Sequence, residues 1–360
     1  MKKHAIIPIF IPHTGCPCKC VFCNQNLITA RSKPPSCEEV SSITEKYLAT
    51  LEGRNIDIEI AFYGGSFTGI PLIQQRQYLS VAYEYKKSGR VKKIHMSTRP
   101  DYISREILDN LKEFDVDVIE LGVQSFDDKV LRLSKRGHTS HDVLKACELI
   151  RQYNFELGIQ LMVGLPGDNI EKAIKSAKTA AALKPSLARL YPTVVLPDTE
   201  LAHMLKNKEY IPLNEKESIE ITKEMYKILM QNNINIMRVG LKSTDLMTKH
   251  SDLSSEYHPA FRQLVEGEIA KEQMKHIFYD IIRNISKINN EVNIRFMANE
   301  KWFNPMIGHK GCNKKYFDSL NHLKNHTDKS YTIHVLYGID NTLPDGKISF
   351  DIKLHNFISN

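Results

Sequence analysis

No stretch of this 360-residue chain approaches the roughly 20 consecutive apolar residues that span a bilayer, so a membrane-spanning helix is not expected. The apolar run near the N-terminus, Ala5 to Ile11, is too short for a signal peptide's apolar region plus a cleavage site. Pro8 and Pro12 interrupt it as well. Internal repeats and low-complexity segments are also missing. These absences lead us to expect a cytoplasmic protein. Cysteine is sparse, with seven in the whole chain, and four of them fall within eight residues: Cys16, Cys18, Cys20 and Cys23. An odd, clustered set in a chain with no export signal argues against a disulfide framework and for metal binding.

Hydrophobic residues make up 42% of the chain and charged residues 25%, the balance of an ordinary globular protein with enough core to fold without staples. The length suits a barrel plus an extension. The formal net charge of +7 is a mild basic bias that suits a polyanionic partner such as RNA without demanding one.

Apolar, β-branched runs alternate with helical patterns. The runs His4–Phe10, Asp57–Phe62, Lys92–Ser97, Val116–Gly122, Glu156–Met162 and Leu187–Val195 read as strands. Between them, helices are expected near Glu38–Glu52, Leu72–Lys87, Ser104–Phe114, His141–Tyr153 and Asn169–Leu183, with Ser36 and Ser104 as starting caps. Six strand–helix units predict an α/β fold with a parallel sheet and right-handed crossovers, a partial (β/α)6 barrel over residues 1–240. Glu215–Asn232 reads as a further helix and Ile234–Val239 as a further strand. Residues 241–290 read as a linker and helical segment, the polar Lys242–Tyr257 being the linker. Residues 291–360 read as a small α+β region.

The unusual peptides collect at one edge of this frame. The cysteines follow strand one, Gly64-Gly65-Ser66 strand two, Thr98-Arg99-Pro100 strand three, Gln124-Ser125 strand four and Gly164-Leu165-Pro166-Gly167 strand five, and Tyr191-Pro192 lies in strand six. In a parallel barrel, active sites form where the strands end.

Cys16, Cys20 and Cys23 place three thiolates on one short loop, and soft thiolates select zinc, copper(I) or iron–sulfur. Zinc would want a fourth ligand, which His13 or Cys18 could supply. A cubane held by three cysteines keeps one iron open for a small chelating ligand. Phe22 could pack over the cluster or a bound adenine, or simply fill the core.

The motif, its place after strand one and the glycines after strand two resemble the radical S-adenosylmethionine (SAM) superfamily. The resemblance implies a [4Fe–4S] cluster on Cys16, Cys20 and Cys23. In that family the cluster gives an electron to SAM and yields a 5′-deoxyadenosyl radical that abstracts hydrogen from substrate. It also implies an electron partner such as ferredoxin or flavodoxin. Cys18 departs from the usual pattern and is expected to be incidental.

The peptides STRPDYI (97–103), ELGVQSFDD (120–128), RGHT (136–139) and RLYPTVV (189–195) resemble the subgroup that contains oxygen-independent coproporphyrinogen oxidase and the elongator catalytic subunit, over roughly residues 5–240. By that resemblance Gly64, Gly65 and Ser66 hold the amino group of SAM's methionine moiety, with Ser66 where the family often has an acidic residue. Thr98 and Arg99 would face SAM, and Gln124 and Arg136 would bind its carboxylate and ribose region. Gln160 would sit beside the ribose hydroxyls and Leu165 near the adenine. Arg136 could instead pair with Asp127 or Asp128, and Gln124 could satisfy a buried backbone group. The elongator subunit's acetyltransferase domain is missing and the cysteine spacing is the short form, so the chain is not expected to be that subunit.

The C-terminal region reads strand (Val292–Met297), helix (Glu300–Met306), Gly308-His309-Lys310-Gly311, helix (Asn313–Leu323), then strands Tyr331–Tyr337 and Lys347–Leu354. A G-x-x-G loop between two helices resembles the KH module, whose loop clamps a nucleic-acid backbone. The alternative is a small cap whose glycines merely turn the chain. Three functions follow: a radical SAM enzyme acting on RNA such as tRNA, one acting on a small molecule such as a tetrapyrrole, or a non-enzymatic metal-binding protein.

Overall fold

The computed structural model describes residues 4–12, 16, 20–29, 33–241, 258–285, 291–320, 322–324 and 330–355. His13, Cys18 and the expected linker 242–257 lie outside them. The chain divides into two compact units, Met1–Pro259 and Ala260–Asn360.

The first unit is a parallel sheet whose strands follow chain order: β1 (His4–Ile11), β2 (Asp57–Gly64), β3 (Lys93–Thr98), β4 (Val118–Gln124), β5 (Glu156–Val163), β6 (Leu187–Pro192) and β7 (Asn235–Val239). The sheet therefore has one strand more than the six units counted from sequence. The seventh is the run at Ile234–Val239, which follows the 17-residue helix Glu215–Gln231 and pairs with β6. Helices between successive strands cover the outer face. Their starts follow the sequence signals: Ser36 forms a capping box with Glu39, and the Ser104 hydroxyl accepts from the Ile107 N–H.

Period-two alternation separates the two faces of the sheet. Ile60, Phe62, Ile94, Met96, Ile119, Leu121, Ile159 and Leu161 are buried and apolar. The alternate positions Glu59, Tyr63, His95, Glu120, Gln160, Arg189 and Tyr191 carry polar groups. Polar residues on the inner face of a half-barrel mark a chamber rather than a core.

The second unit holds the helix Phe261–Ile285, then β8 (Glu291–Ala298), helices Glu300–Ile307 and Cys312–Asp318, β9 (His322–Lys324), β10 (Ser330–Ile339) and β11 (Ser349–His355). The second short helix stops at Asp318, earlier than the expected Leu323, because His322–Lys324 pairs as a strand with β10. The sheet runs β11-β8-β10-β9, with β8 and β10 parallel. Trp302, Phe278, Phe296 and Phe317 fill its core.

Gly158 on β5 shows how tightly the half-barrel is drawn together. A Cβ there would lie 2.6 Å from Leu187 Cδ1 and 3.1 Å from Glu120 Cβ. Gly158→Ala should therefore destabilise the first unit by about 1–3 kcal/mol through overpacking, read as a lower urea midpoint with an unchanged slope.

Candidate active site

β1 ends at Ile11, and the chain turns out of the sheet into the cysteine loop. Cys23 N–H donates to the Cys20 carbonyl at 3.1 Å, a tight turn within the loop. The Cys16 thiol accepts from Gln25 Nε2 at 3.6 Å and the Cys20 thiol from Arg136 Nη1 at 3.2 Å. Burial pushes the Cys23 thiol up to about 12, and its neighbours Cys20 and Cys16 add to the rise. Cys16 is raised too, again chiefly by burial. The three sulfurs thus share one partly buried space, where soft thiols suit an iron–sulfur group. Among the described residues no three His, Cys, Asp or Glu side chains are grouped around a single ion position. Phe22 packs with Val21, Val195, Leu201 and Tyr210, so core filling is its visible role.

The glycine turn is fixed by contact with β1. Gly65 N–H donates to Ile11 O at 2.7 Å, and Gly64 has φ +107°, with a built Cβ only 2.9 Å from Ile11 O. Only glycine fits such a place. Ser66 and Thr98 are buried and bond to each other at 3.0 Å. Ser66 Oγ also accepts from the Arg99 N–H, and Thr98 Oγ1 bonds Thr68 Oγ1 at 2.6 Å. These hydroxyls knit the ends of β2 and β3 together. The Arg99 guanidinium is clamped by both oxygens of Asp101, at 3.0 and 2.8 Å.

At the end of β4 the register shifts, and Gln124 takes φ +67°. Its side-chain oxygen accepts from Gln160 Nε2 at 3.2 Å. Two residues of the RGHT peptide hold this bend. Arg136 Nη2 donates to Gly122 O at 2.6 Å, and His138 Nε2 lies 3.2 Å from Val123 O. Arg136 thus joins the β4 carbonyl to the Cys20 thiol and does not pair with Asp127 or Asp128, the surface role considered from sequence. Its Nε is buried with no acceptor among the described residues, a donor that a bound carboxylate would satisfy. Leu165 is buried in the turn after β5.

Sequence reading missed a row of charge across the inner face. Glu59 binds His4 Nε2 at 3.0 Å and His95 Nδ1 at 3.1 Å. His95 Nε2 lies 3.5 Å from Glu120, and Arg189 Nε lies 2.8 Å from the same carboxylate. Burial opposes ionisation of Glu59, but hydrogen bonds from His4 and His95 outweigh it and hold the carboxyl down at about 2. His95 is likewise raised by the two carboxylates against the effect of burial. The one available signal was charged residues at alternate positions of otherwise apolar strands.

A family model described as the radical SAM superfamily matches residues 10–180, and one described as the radical SAM C-terminal domain matches residues 185–271. A tRNA uridine(34) acetyltransferase from Methanocaldococcus infernus is 28% identical over 60% of this chain and 48% of that protein. The chain therefore spans about half that relative's length. The heme chaperone HemW of Bacillus subtilis is 28% identical over 59% of this chain and 55% of its own. Among solved structures, archaeal M. infernus Elp3 with an N-terminal deletion superposes with TM-score 0.55 at 23% identity, covering 69% of this chain and 62% of that one.

Two outcomes test the site. Cys20→Ala should lose the bound iron measured after anaerobic reconstitution, whereas Cys37→Ala, on a helix start away from the loop, should retain it. The second concerns His138, whose pKa burial, with help from Arg136, lowers to about 4. Between pH 6.5 and 4 the unfolded chain takes up a proton there and the folded one does not, so stability is lost as pH falls. From pH 7 to 5 the parent should lose roughly 2 kcal/mol more than His138→Gln, measured by urea unfolding.

Proposed function

Because the chain belongs to the radical SAM superfamily, we propose that it is the radical SAM enzyme of an RNA modification, with tRNA as the substrate class. The family's cofactors are a [4Fe–4S] cluster and SAM. When bound, they would supply an electron and a 5′-deoxyadenosyl radical that abstracts hydrogen. Cys16, Cys20 and Cys23 would hold the cluster, and Arg136 bridges that loop to β4 with a free N–H for the SAM carboxylate. Gly64 and Gly65 keep the β2 turn low enough for close backbone approach. Gln124 and Gln160, bonded to each other, present a paired amide edge for the ribose hydroxyls. Ser66 and Thr98 shape the turn, with Phe22 and Leu165 as apolar walls. A ferredoxin or flavodoxin would deliver the electron.

The observation that carries the RNA reading is the C-terminal loop. Gly308, Lys310 and Gly311 all have positive φ, at 82°, 51° and 73°, so the G-x-x-G segment is a tight turn, closed by the Gly311 N–H donating to Gly308 O at 2.9 Å. A Cβ on Gly311 meets nothing within 4 Å, which leaves the backbone open to a ligand, and Lys310 is exposed beside it. Gly308 is different: a Cβ would strike Cys312 Sγ at 2.7 Å and Asn313 at 2.8 Å. Lys271 and Lys275 stand 5.2 and 4.8 Å from the centre of the Tyr316 ring, a basic and aromatic pairing suited to nucleic acid. The relatives named as tRNA uridine(34) acetyltransferases support the same substrate. The likeness to a heme chaperone favours a second reading, a small molecule such as a tetrapyrrole.

Lys310→Glu with Gly311→Asp places two carboxylates against the phosphates without touching packed atoms. This variant should bind tRNA about tenfold or more weakly, by filter binding at 0.1 M salt, and the parent's affinity should fall as salt rises. Equal binding by parent and variant, or binding indifferent to salt, would favour the small-molecule reading.

A further inference from the structure

The charge row described above ends in two phenols. Arg189 on β6 donates from Nη2 to the Tyr63 hydroxyl of β2 and from Nη1 to the Tyr191 hydroxyl at 3.5 Å. Its Nε faces Glu120 of β4 at 2.8 Å. A guanidinium only donates hydrogen bonds, so both phenol oxygens are acceptors toward Arg189. Each phenol hydrogen is therefore left to donate elsewhere. Burial raises the pKa of both phenols, so the hydrogens stay in place at neutral pH. A phenol that accepts from a cation is in turn a stronger donor.

The location favours a ligand. Tyr63 immediately precedes Gly64-Gly65, and Tyr191 is the second-last residue of β6, so both lie near the edge where the cysteine loop and glycine turn meet. Both rings are only partly buried. Ion pairing fixes the surroundings: Glu120 offsets Arg189, Glu59 offsets His95, and Arg238 on β7 adds a positive field at Tyr191. A site that offers two neutral donors selects an oxygen acceptor, and an ammonium group, which only donates, finds no partner in them.

We propose that Tyr63 and Tyr191, backed by Arg189 and Glu120, form a substrate-recognition site that binds an acceptor oxygen, a carbonyl or a carboxylate, on the inner face of the half-barrel. The proposal rests on reading that face as the reaction chamber of a radical SAM enzyme, and it is independent of whether the substrate is RNA.

The test uses cluster-loaded protein with SAM bound, its tyrosines labelled with carbon-13 at the ring carbon that bears the hydroxyl. Tyr63→Phe and Tyr191→Phe each delete one resonance and so assign it. The remaining tyrosine resonances report that the fold is kept. N-methylacetamide and acetate are then titrated as carbonyl and carboxylate probes, with methylammonium as a probe that has no acceptor. Both assigned resonances should shift together, with one midpoint, for at least one acceptor probe, and the better probe names the oxygen class. Removing either hydroxyl should weaken that probe about three- to tenfold, the worth of one neutral hydrogen bond. The proposal is overturned if either resonance stays in place with both acceptor probes, or if methylammonium moves them equally. Loss of tRNA binding in the C-terminal variant would leave this result untouched, so the two readings fail separately.

Discussion

Seven parallel strands laid down in chain order put every strand's carboxyl end on one edge of the sheet, and the candidate site follows from that single constraint. Each strand delivers its next few residues to the same rim, so peptides far apart in sequence become neighbours. Arg136 shows the result most directly. It touches a thiol of the loop after β1 and a carbonyl at the end of β4, 116 residues and 14 residues away. The site is held by such links across the rim rather than by any one loop.

The inner face of the same sheet carries a different kind of link. Glu59, His95, Glu120 and Arg189 come from four strands and form alternating charges with almost no exposure to water. Removing one partner would leave a neighbour charged and buried, the costly case for an ion pair. Such a row specifies how far the half-barrel curls, because Arg189 reaches Glu120 on β4 and Tyr63 on β2 only when β2 and β6 are drawn toward each other. Gly158, between them on β5, keeps the path clear.

Much of the frame could be read from sequence. The β-branched runs at Asp57–Phe62 and Glu156–Met162 fall inside β2 and β5, and the caps at Ser36 and Ser104 start their helices. Placing the odd peptides after strands depended only on that alternation. What sequence could not show was pairing at long range. Nothing local in the sequence says that Glu59, His95 and Arg189 meet. The hydroxyls of Ser66 and Thr98 looked free to bind a ligand, yet in the fold they bond each other. The seventh strand could be read as a strand but not as a member of the sheet, because membership depends on how the helix Glu215–Gln231 returns the chain to β6. In the C-terminal unit the two glycines of the G-x-x-G loop look equivalent in sequence. Packing separates them, with Gly308 against Asn313 and Gly311 open.

The measurement closest to the central claim is reductive cleavage of SAM. Anaerobically reconstituted protein, given dithionite and SAM without substrate, should slowly form 5′-deoxyadenosine and methionine in equal amounts. It should hold about four irons and four sulfides per chain, with three thiolates and one open iron position. Stoichiometric zinc with no iron–sulfur absorption, or an intact four-iron cluster that leaves SAM uncleaved, would contradict the account.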